Sequence, residues 1–418
     1  MFLKRVLGLC LMFSCASTWA QLTAAPEHEW ASDVTGSHVL QMGVDAWQIN
    51  TSAKEDTTAN MKAVSRLQLA NSYPVWTYHD VSPWVRFEGG LRVGSNTLLT
   101  MKYRGDQSSG GRLDEASADW AYHAFGVKVG VLDPKMSWCR TYDVDSPWVR
   151  ESNGFCTTDP DNFTKSSAPG VQTYANLIVG DYSLQGLLGV YRPRMFNYAT
   201  RDTATVVIPS YASVLTHHRK GMALSATNLK NGTEFRFGLM SESFVAKAPA
   251  VDDLDPWLGT VDSDVFFLGV SWYLNRQWAM RSTYFKYVGT EVTNITTDNP
   301  YVSERGQSKY SAVTFEANYQ ANTVDVLSGA YTVYEYDYSG RTYNQVGSSV
   351  TLDSVLDGYP RFRTRNVSFS WRRDWGRGIF SVLQYSRAQV DQSQSDVVTT
   401  QRTSSHGDAI GLRLGYRF

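Results

Sequence analysis

The chain ends in Ala409-Ile410-Gly411-Leu412-Arg413-Leu414-Gly415-Tyr416-Arg417-Phe418, a segment that alternates between two kinds of side chain. From Ile410 onward, even positions are apolar or aromatic, whereas odd positions are glycine or arginine. Successive side chains of a β-strand point to opposite faces, so this period of two predicts a strand with one apolar and one polar face. A polar face that carries arginines suits water better than a packed core, where an unpaired charge is unfavourable.

The same alternation recurs along the chain. In the segment 309–321, Phe315 lies on the apolar face and Glu316 on the polar one. Sixteen segments of this kind are predicted as strands: 37–50, 83–93, 96–105, 115–124, 125–133, 171–180, 182–193, 217–228, 232–243, 264–275, 277–290, 309–321, 323–338, 362–373, 377–391 and 406–418. A further candidate, 60–71, would make the count odd, whereas single-chain bacterial barrels have an even number of strands. We therefore assign it to the first loop and keep about 18 strands, with a hairpin near 60–82, as the alternative.

Two kinds of connection alternate between these segments. Some are very short, such as Gly94-Ser95 and Asn275-Arg276, and suit tight hairpins. Others are long and polar: 134–170, 194–216, 244–263, 291–308, 339–361 and 392–405. Short turns on one rim and long loops on the other are typical of outer-membrane barrels. The predicted fold is therefore an all-β transmembrane antiparallel β-barrel spanning residues 21–418.

The first twenty residues predict a secretory signal. Lys4 and Arg5 precede an apolar stretch that is too short to span a bilayer, and cleavage is expected after Ala20. A membrane anchor is the alternative that this short stretch disfavours. Removing 1–20 leaves 37 Lys and Arg against 40 Asp and Glu, a charge of −3 that gives no indication of nucleic-acid binding.

Two cysteines, Cys139 and Cys156, remain after removal of the signal. An even pair this close in an exported chain predicts a disulfide, which would stiffen the long connection 134–170. Metal binding by the pair is the alternative, but no histidine lies near either cysteine in the sequence. No metal site and no cofactor are expected.

Three stretches carry a resemblance to known families. The ending at Tyr416 and Phe418 resembles the C-terminal strand of outer-membrane barrels, which the barrel assembly machinery reads. The stretch from Glu115 to Val131 resembles the fourth and fifth strands of proteobacterial diffusion porins, and Tyr142 to Arg150 resembles the start of their third loop. The resemblance implies that 134–170 folds into the barrel and narrows a pore. It also implies a homotrimer in the bacterial outer membrane, in contact with lipid and lipopolysaccharide.

The inferred constriction places loop acids opposite wall bases. Asp143, Asp145 and Glu151 lie in the long connection. The wall bases occupy positions on the polar face of their predicted strands: Arg86, Arg92, Lys102 and Arg104. Charges that face each other across a narrow pore make a transverse field, which selects polar solutes and tunes ion preference. A loop that lies outside the barrel, and wall bases that bind lipid headgroups at the rim, are the alternatives.

The expected function is passive diffusion of ions and small hydrophilic solutes. A substrate-specific channel is one alternative, because aromatics of lumenal parity such as Tyr174 are frequent. A receptor or adhesin barrel and an outer-membrane enzyme are further alternatives. No H-E-x-x-H or G-x-S-x-G motif supports an enzyme, and the neighbours His217 and His218 should point to opposite faces of a strand. We expect a surface role for these two histidines and no enzymatic activity.

Overall fold

Strands account for nearly all of the chain that the structure describes. This computed structural model describes residues 38–53, 77–106, 110–132, 168–192, 213–248, 257–296, 301–346, 349–356, 361–395 and 400–417. Within these ranges the strands are β1 (His38–Ala53), β2 (Thr77–Val93), β3 (Thr97–Asp106), β4 (Gly110–Tyr122), β5 (Phe125–Leu132), β6 (Ala168–Val179), β7 (Tyr182–Tyr191), β8 (Ser213–Asn228), β9 (Glu234–Ala248), β10 (Trp257–Tyr273), β11 (Trp278–Thr296), β12 (Tyr301–Gln320), β13 (Asp325–Val346), β14 (Ser349–Leu356), β15 (Arg361–Gly376), β16 (Ile379–Ser395) and β17 (Thr400–Arg417). Nowhere in these ranges does a helix have the length and apolar character needed to cross a membrane.

Sixteen of these strands form one closed antiparallel ring. Each strand pairs with its neighbours in sequence, and β1 closes the ring by pairing with β17 from Gln41↔Arg417 to Ala53↔Ser405. The remaining strand, β14, pairs with the part of β13 from Gly340 onward, beyond the part of β13 that pairs with β15. The predicted all-β barrel of about 16 strands is confirmed. The segment 60–71, on which the alternative of 18 depended, lies outside the described residues.

Tight turns define one rim of the barrel. Seven connections on this rim have two to five residues: 94–96, 123–124, 180–181, 229–233, 274–277, 321–324 and 377–378. The turn between β15 and β16 has both of its residues at positive φ, Arg377 at 51° and Gly378 at 82°, as a type I′ hairpin turn requires. A Cβ on Gly378 would lie 2.1 Å from the carbonyl oxygen of Arg417. This glycine therefore lets the end of β17 pack against the turn.

On the opposite rim, several predicted loop boundaries are wrong. The polar composition of 291–308 and 339–361 predicts loops there, but β11, β12 and β13 extend through much of both segments. Similarly, β9 and β10 leave only 249–256 between them, and β16 and β17 only 396–399. Where both faces of a strand meet water, apolar and polar residues need not alternate, so the period of two disappears although the strand continues.

The two faces of the barrel differ in chemistry. Apolar side chains exposed on the outer face include Val129, Phe315, Phe369 and Leu412. Aromatic residues near the short-turn rim also lie on this face, for example Trp120, Tyr122, Trp278 and Trp371. The inner face carries most of the buried polar and charged residues, described below. An apolar outside with a polar inside is the reverse of a soluble barrel and is typical of a membrane barrel.

Candidate functional site

The inner wall of the barrel is the candidate site. Of the wall bases predicted from the sequence, Arg86 and Lys102 face inward. Arg86 forms an ion pair with Glu88, and the Nζ atom of Lys102 lies 3.6 Å from Oε2 of Glu115. Arg104 lies opposite Arg86 in the register of β2 and β3.

The remaining predicted site residues are not brought together by the described structure. Arg92 is exposed and lies beside the short-turn rim, far along β2 from Arg86. Tyr416 of the assembly signal is half-buried and pairs with Met42 and Ile379. The predicted constriction acids, the disulfide pair and the last residue lie outside the described residues: Asp143, Asp145, Glu151, Cys139, Cys156 and Phe418.

Ion pairs between adjacent strands line the wall. Asp45 of β1 lies opposite Arg413 of β17, and both oxygens of its carboxylate accept hydrogen bonds from the guanidinium, at 2.6 and 2.5 Å. Lys128 of β5 and Lys102 of β3 share Glu115 of β4, which also accepts a hydrogen bond of 2.8 Å from Ser117. Such pairs keep charges on the wall without the large penalty of burying a charge alone.

A second group of charges lies on the part of the wall formed by β8 to β12. The Nε and Nη2 atoms of Arg219 donate to Oε2 of Glu242 at 3.3 and 3.1 Å, and His217 contacts the other oxygen. Arg281 lies opposite Glu316 and forms an ion pair with it. Each acid lies directly across a strand pair from its arginine, so the register alone brings the charges together.

His217 corrects a sequence-based expectation. As predicted, His217 and His218 point to opposite faces, and His218 is exposed on the outside. The expected surface role is wrong for His217, which is buried in the wall beside Glu242 and lies edge-on to the ring of Phe244 at 5.5 Å. The alternation assigned the correct face, but only the strand register shows which neighbours a residue meets on that face.

Aromatic residues cover part of the inner wall from β10 to β13. Tyr287 and Tyr310 lie with ring centroids 5.1 Å apart, and Tyr310 lies 4.5 Å from Tyr336 and 6.0 Å from Tyr334. They belong to one continuous apolar cluster that extends back to Leu132 at the end of β5. Periodicity predicted lumenal aromatics such as Tyr174, but it could not show that tyrosines of three strands form one surface.

Several charged side chains of the inner wall are more deeply buried than side chains that line an open, water-filled pore would be. The largest fully buried side chains include three cations, Arg219, Arg236 and Lys128, and all three face inward. A barrel of sixteen strands is wide enough to hold an aqueous channel, so its wall residues cannot bury one another across the lumen. The alternation predicts wall charges that face open water, whereas these three charges are buried and paired.

Comparisons with known proteins identify similar barrels but no family. No family model and no curated protein matches the sequence. DcaP of Acinetobacter baumannii, described as an outer membrane channel, is 12% identical, covers 91% of this chain and 96% of its own, and has a TM-score of 0.49. The anion-selective porin of Comamonas acidovorans is 11% identical, with coverage of 91% and 100% and a TM-score of 0.49.

A third similar structure is the trimer form of OmpT, an outer membrane protein of Vibrio cholerae. It is 7% identical, with coverage of 91% of this chain and 100% of its own and a TM-score of 0.46. The assignment of this chain to the closed barrel fold rests on its own strand register.

Proposed function

We propose that the protein forms an outer-membrane channel for passive diffusion of ions and small hydrophilic solutes. The observation that carries the proposal is the closed ring of sixteen strands with an apolar outer face and a charged inner face. Charged side chains on the inside of a membrane barrel favour water and polar solutes in the lumen. The mechanism is diffusion down a gradient, filtered by size and by the field at the narrowest point.

We place that narrowest point at the segment 134–170, folded against the inner wall. Support comes from two wall residues that flank this segment, one at the end of β5 and one at the start of β6. Leu132 and Ala168 are 1% and 0% exposed, face inward and belong to the buried cluster of the wall. The burial of Lys128 and Arg219 likewise favours a second layer over this wall. In this proposal Asp143, Asp145 and Glu151 face Arg86, Lys102 and Arg104, with Arg92 closer to the rim.

We also propose a homotrimer. The outer faces of β5, β6 and β7 carry apolar or small residues without a charge among their outward positions, from Val131 to Phe125 on β5 and from Tyr182 to Val190 on β7. Such a face suits lipid or the apolar face of a second copy. Native mass spectrometry of the purified protein tests this, and a monomer at all concentrations would contradict it.

A substrate-specific channel is the second candidate, and the tyrosine surface on the wall favours it. Tyrosine rings stack on sugars and aromatic solutes, and their hydroxyl groups donate and accept hydrogen bonds. Liposome swelling across a panel of sugars, amino acids and aromatic acids separates the two candidates. A ranking by solute size alone supports the general pore, whereas one solute that enters faster than smaller ones supports the specific channel.

A further inference from the structure

The tyrosine surface of the inner wall becomes more accessible toward the rim opposite the short turns. It consists of Tyr287, Tyr310, Tyr334 and Tyr336, of which the first three are 4% to 5% exposed. Tyr336 packs against the others and is half-buried. A tilted strand crosses the apolar core of a membrane in about ten residues. Tyr336 is the twelfth residue of β13 counted from Asp325 at the short-turn rim, so it lies at the far end of the core.

The rings at this end of the surface are inclined only moderately to one another. The ring centroids of Tyr310 and Tyr336 are 4.5 Å apart, with their planes inclined by 38°. Tyr310 and Tyr334 are 6.0 Å apart and inclined by 31°, whereas Tyr287 lies edge-on to Tyr310 at 69°. One flat solute can therefore lie over the rings at the far end, as aromatic faces favour an offset apolar contact.

A buried hydroxyl group adjoins these rings. Thr364 of β15 lies directly opposite Tyr334 and is a diagonal neighbour of Tyr336 on the inner face. Its side chain is 7% exposed, and among the described residues no group forms a hydrogen bond with its Oγ1 atom. A buried polar group without a partner is unfavourable and uncommon in native proteins. The hydroxyl of Thr364 is therefore placed to bind a solute that lies over Tyr336.

Other hydroxyl groups of this part of the wall bond to each other across strand pairs. Two pairs form in this way: Thr314 with Thr332 at 3.1 Å and Ser368 with Ser386 at 2.8 Å. Thr364 instead lies between Tyr334 and Val390. Valine has no polar side-chain atom, and the tyrosine hydroxyl lies at the far end of its ring. The register that satisfies the other hydroxyl groups thus leaves this one to a ligand.

The charges that flank the tyrosine surface on the inner face are paired. Arg219 donates to Glu242, and Arg281 forms an ion pair with Glu316. The inner positions of β13 from 328 to 336 and of β15 from 364 to 370 hold only uncharged residues. A charged solute would lose water here without gaining a counter-charge, which is unfavourable. This part of the wall therefore favours an uncharged polar solute.

We propose that Tyr310, Tyr334, Tyr336 and Thr364 form an entry site for a neutral sugar. The proposal rests on the proposed function, because a sugar reaches these residues through the lumen. A pyranose ring has an apolar C–H face, which packs on tyrosine rings, and hydroxyl groups around its edge, one of which bonds to Thr364. An aromatic acid would also stack on the rings, but its carboxylate would lie on an uncharged stretch of wall.

The test measures binding to the intact barrel, purified in a detergent without a sugar headgroup. Saturation-transfer NMR titrations compare methyl glucoside, the matching glucuronide, in which a carboxylate replaces the hydroxymethyl group, and benzoate. We expect the glucoside to bind at least about tenfold more tightly than the glucuronide, because the carboxylate loses hydration without gaining a counter-charge. Equal affinities for the two sugars, or tighter binding of benzoate, would overturn the proposal.

Variants of Tyr336 test the stacking contact. Tyr336→Leu should weaken glucoside binding about tenfold, whereas Tyr336→Phe keeps the aromatic face and should bind within about twofold of the wild type. The matched control is Tyr331→Leu, because Tyr331 lies on the outer face of the same strand and is 41% exposed. This control should bind as the wild type does. Wild-type affinity in Tyr336→Leu would show that the sugar does not stack there, and the proposal would be wrong.

Thr364→Val separates a binding role from a structural one. Valine has the shape of threonine without the hydroxyl, so the barrel should unfold at the same or a higher urea concentration. Glucoside affinity should nevertheless fall about fivefold, because the sugar loses a hydrogen bond. Unchanged affinity would remove Thr364 from the site, whatever the urea midpoint.

Single-channel recording of the wild type separates this proposal from the proposed function. A protein that conducts ions but does not bind the glucoside would contradict the sugar site alone. A protein that binds the glucoside but leaves the bilayer silent would contradict the channel and leave the sugar site standing.

Discussion

Arg413 of the last strand lies directly opposite Asp45 of the first, and its guanidinium donates two hydrogen bonds to that carboxylate across 368 positions of sequence. The indole of Trp84 donates a third to Asp45, at 3.1 Å. The strand whose alternation predicted the fold thus also closes the ring with a buried ion pair. The alternation of the sequence predicts that Arg413 lies on the inner face, but it does not predict Asp45 as its partner.

The pair of Asp45 and Arg413, where the first and last strands meet, gives the first prediction, and we call it the seam pair. Arg413→Gln leaves the buried Asp45 carboxylate without its cation and should lower the free energy of unfolding by about 3–5 kcal/mol. The double variant Asp45→Asn, Arg413→Gln should recover part of this loss, because no charge is then left unpaired. Urea unfolding followed by tryptophan fluorescence measures both.

The exposed pair Lys230 and Asp181 on the short-turn rim is the control for the seam. Its Nζ and Oδ2 atoms are 2.5 Å apart, but the side chains are 72% and 51% exposed. Removing Lys230 should therefore change stability by less than about 1 kcal/mol. If Arg413→Gln lowers the free energy of unfolding no more than removal of Lys230 does, the pair of Asp45 and Arg413 does not hold the barrel closed.

Tyr174 and Gly126 give the second prediction. The tyrosine ring lies over the glycine, so a Cβ at position 126 would be 2.1 Å from its Cζ, and the hydroxyl donates a hydrogen bond of 2.7 Å to Asp119. Gly126→Ala must displace the ring and should lower the free energy of unfolding by about 1–3 kcal/mol. Gly186→Ala, whose nearest atom would be 3.4 Å away, should have no such effect. Equal urea midpoints for the two variants would contradict this packing.

The alternation of side chains was enough to predict the number of strands in the closed ring and the faces of residues such as Arg413 and Glu316. The alternation could not predict the strand register, because a period of two determines the face of a side chain but not which residues of neighbouring strands lie opposite each other. The buried surroundings of His217 and the joint tyrosine surface depend on that register. The alternation also failed to predict strand ends beyond the apolar band, as in β12. Where both faces of a strand meet water, apolar and polar residues no longer alternate.

The third prediction concerns ion preference. Asp143→Asn with Asp145→Asn removes two negative charges from the proposed constriction, so the channel should become less cation-selective. The reversal potential under a salt gradient measures the change. Asp262→Asn with Asp264→Asn is the matched control, because those two acids are exposed on the outer face of β10. If both double variants shift the potential equally, or neither does, Asp143 and Asp145 do not line the constriction.

Cys139 and Cys156 give the fourth prediction. The exported protein should take up no alkylating reagent when denatured without reductant and two equivalents after reduction. The bond should stabilise the protein by about 3 kcal/mol in the chain-entropy model, so the double Ser variant should unfold at lower urea. Two alkylated cysteines before reduction would contradict the disulfide.

In the proposed function solutes pass through this barrel, and single-channel recording in a planar bilayer tests this most directly. The purified wild-type protein should raise the conductance in discrete steps of uniform size. A bilayer that stays silent after insertion of protein whose β-structure is intact by circular dichroism would contradict the channel.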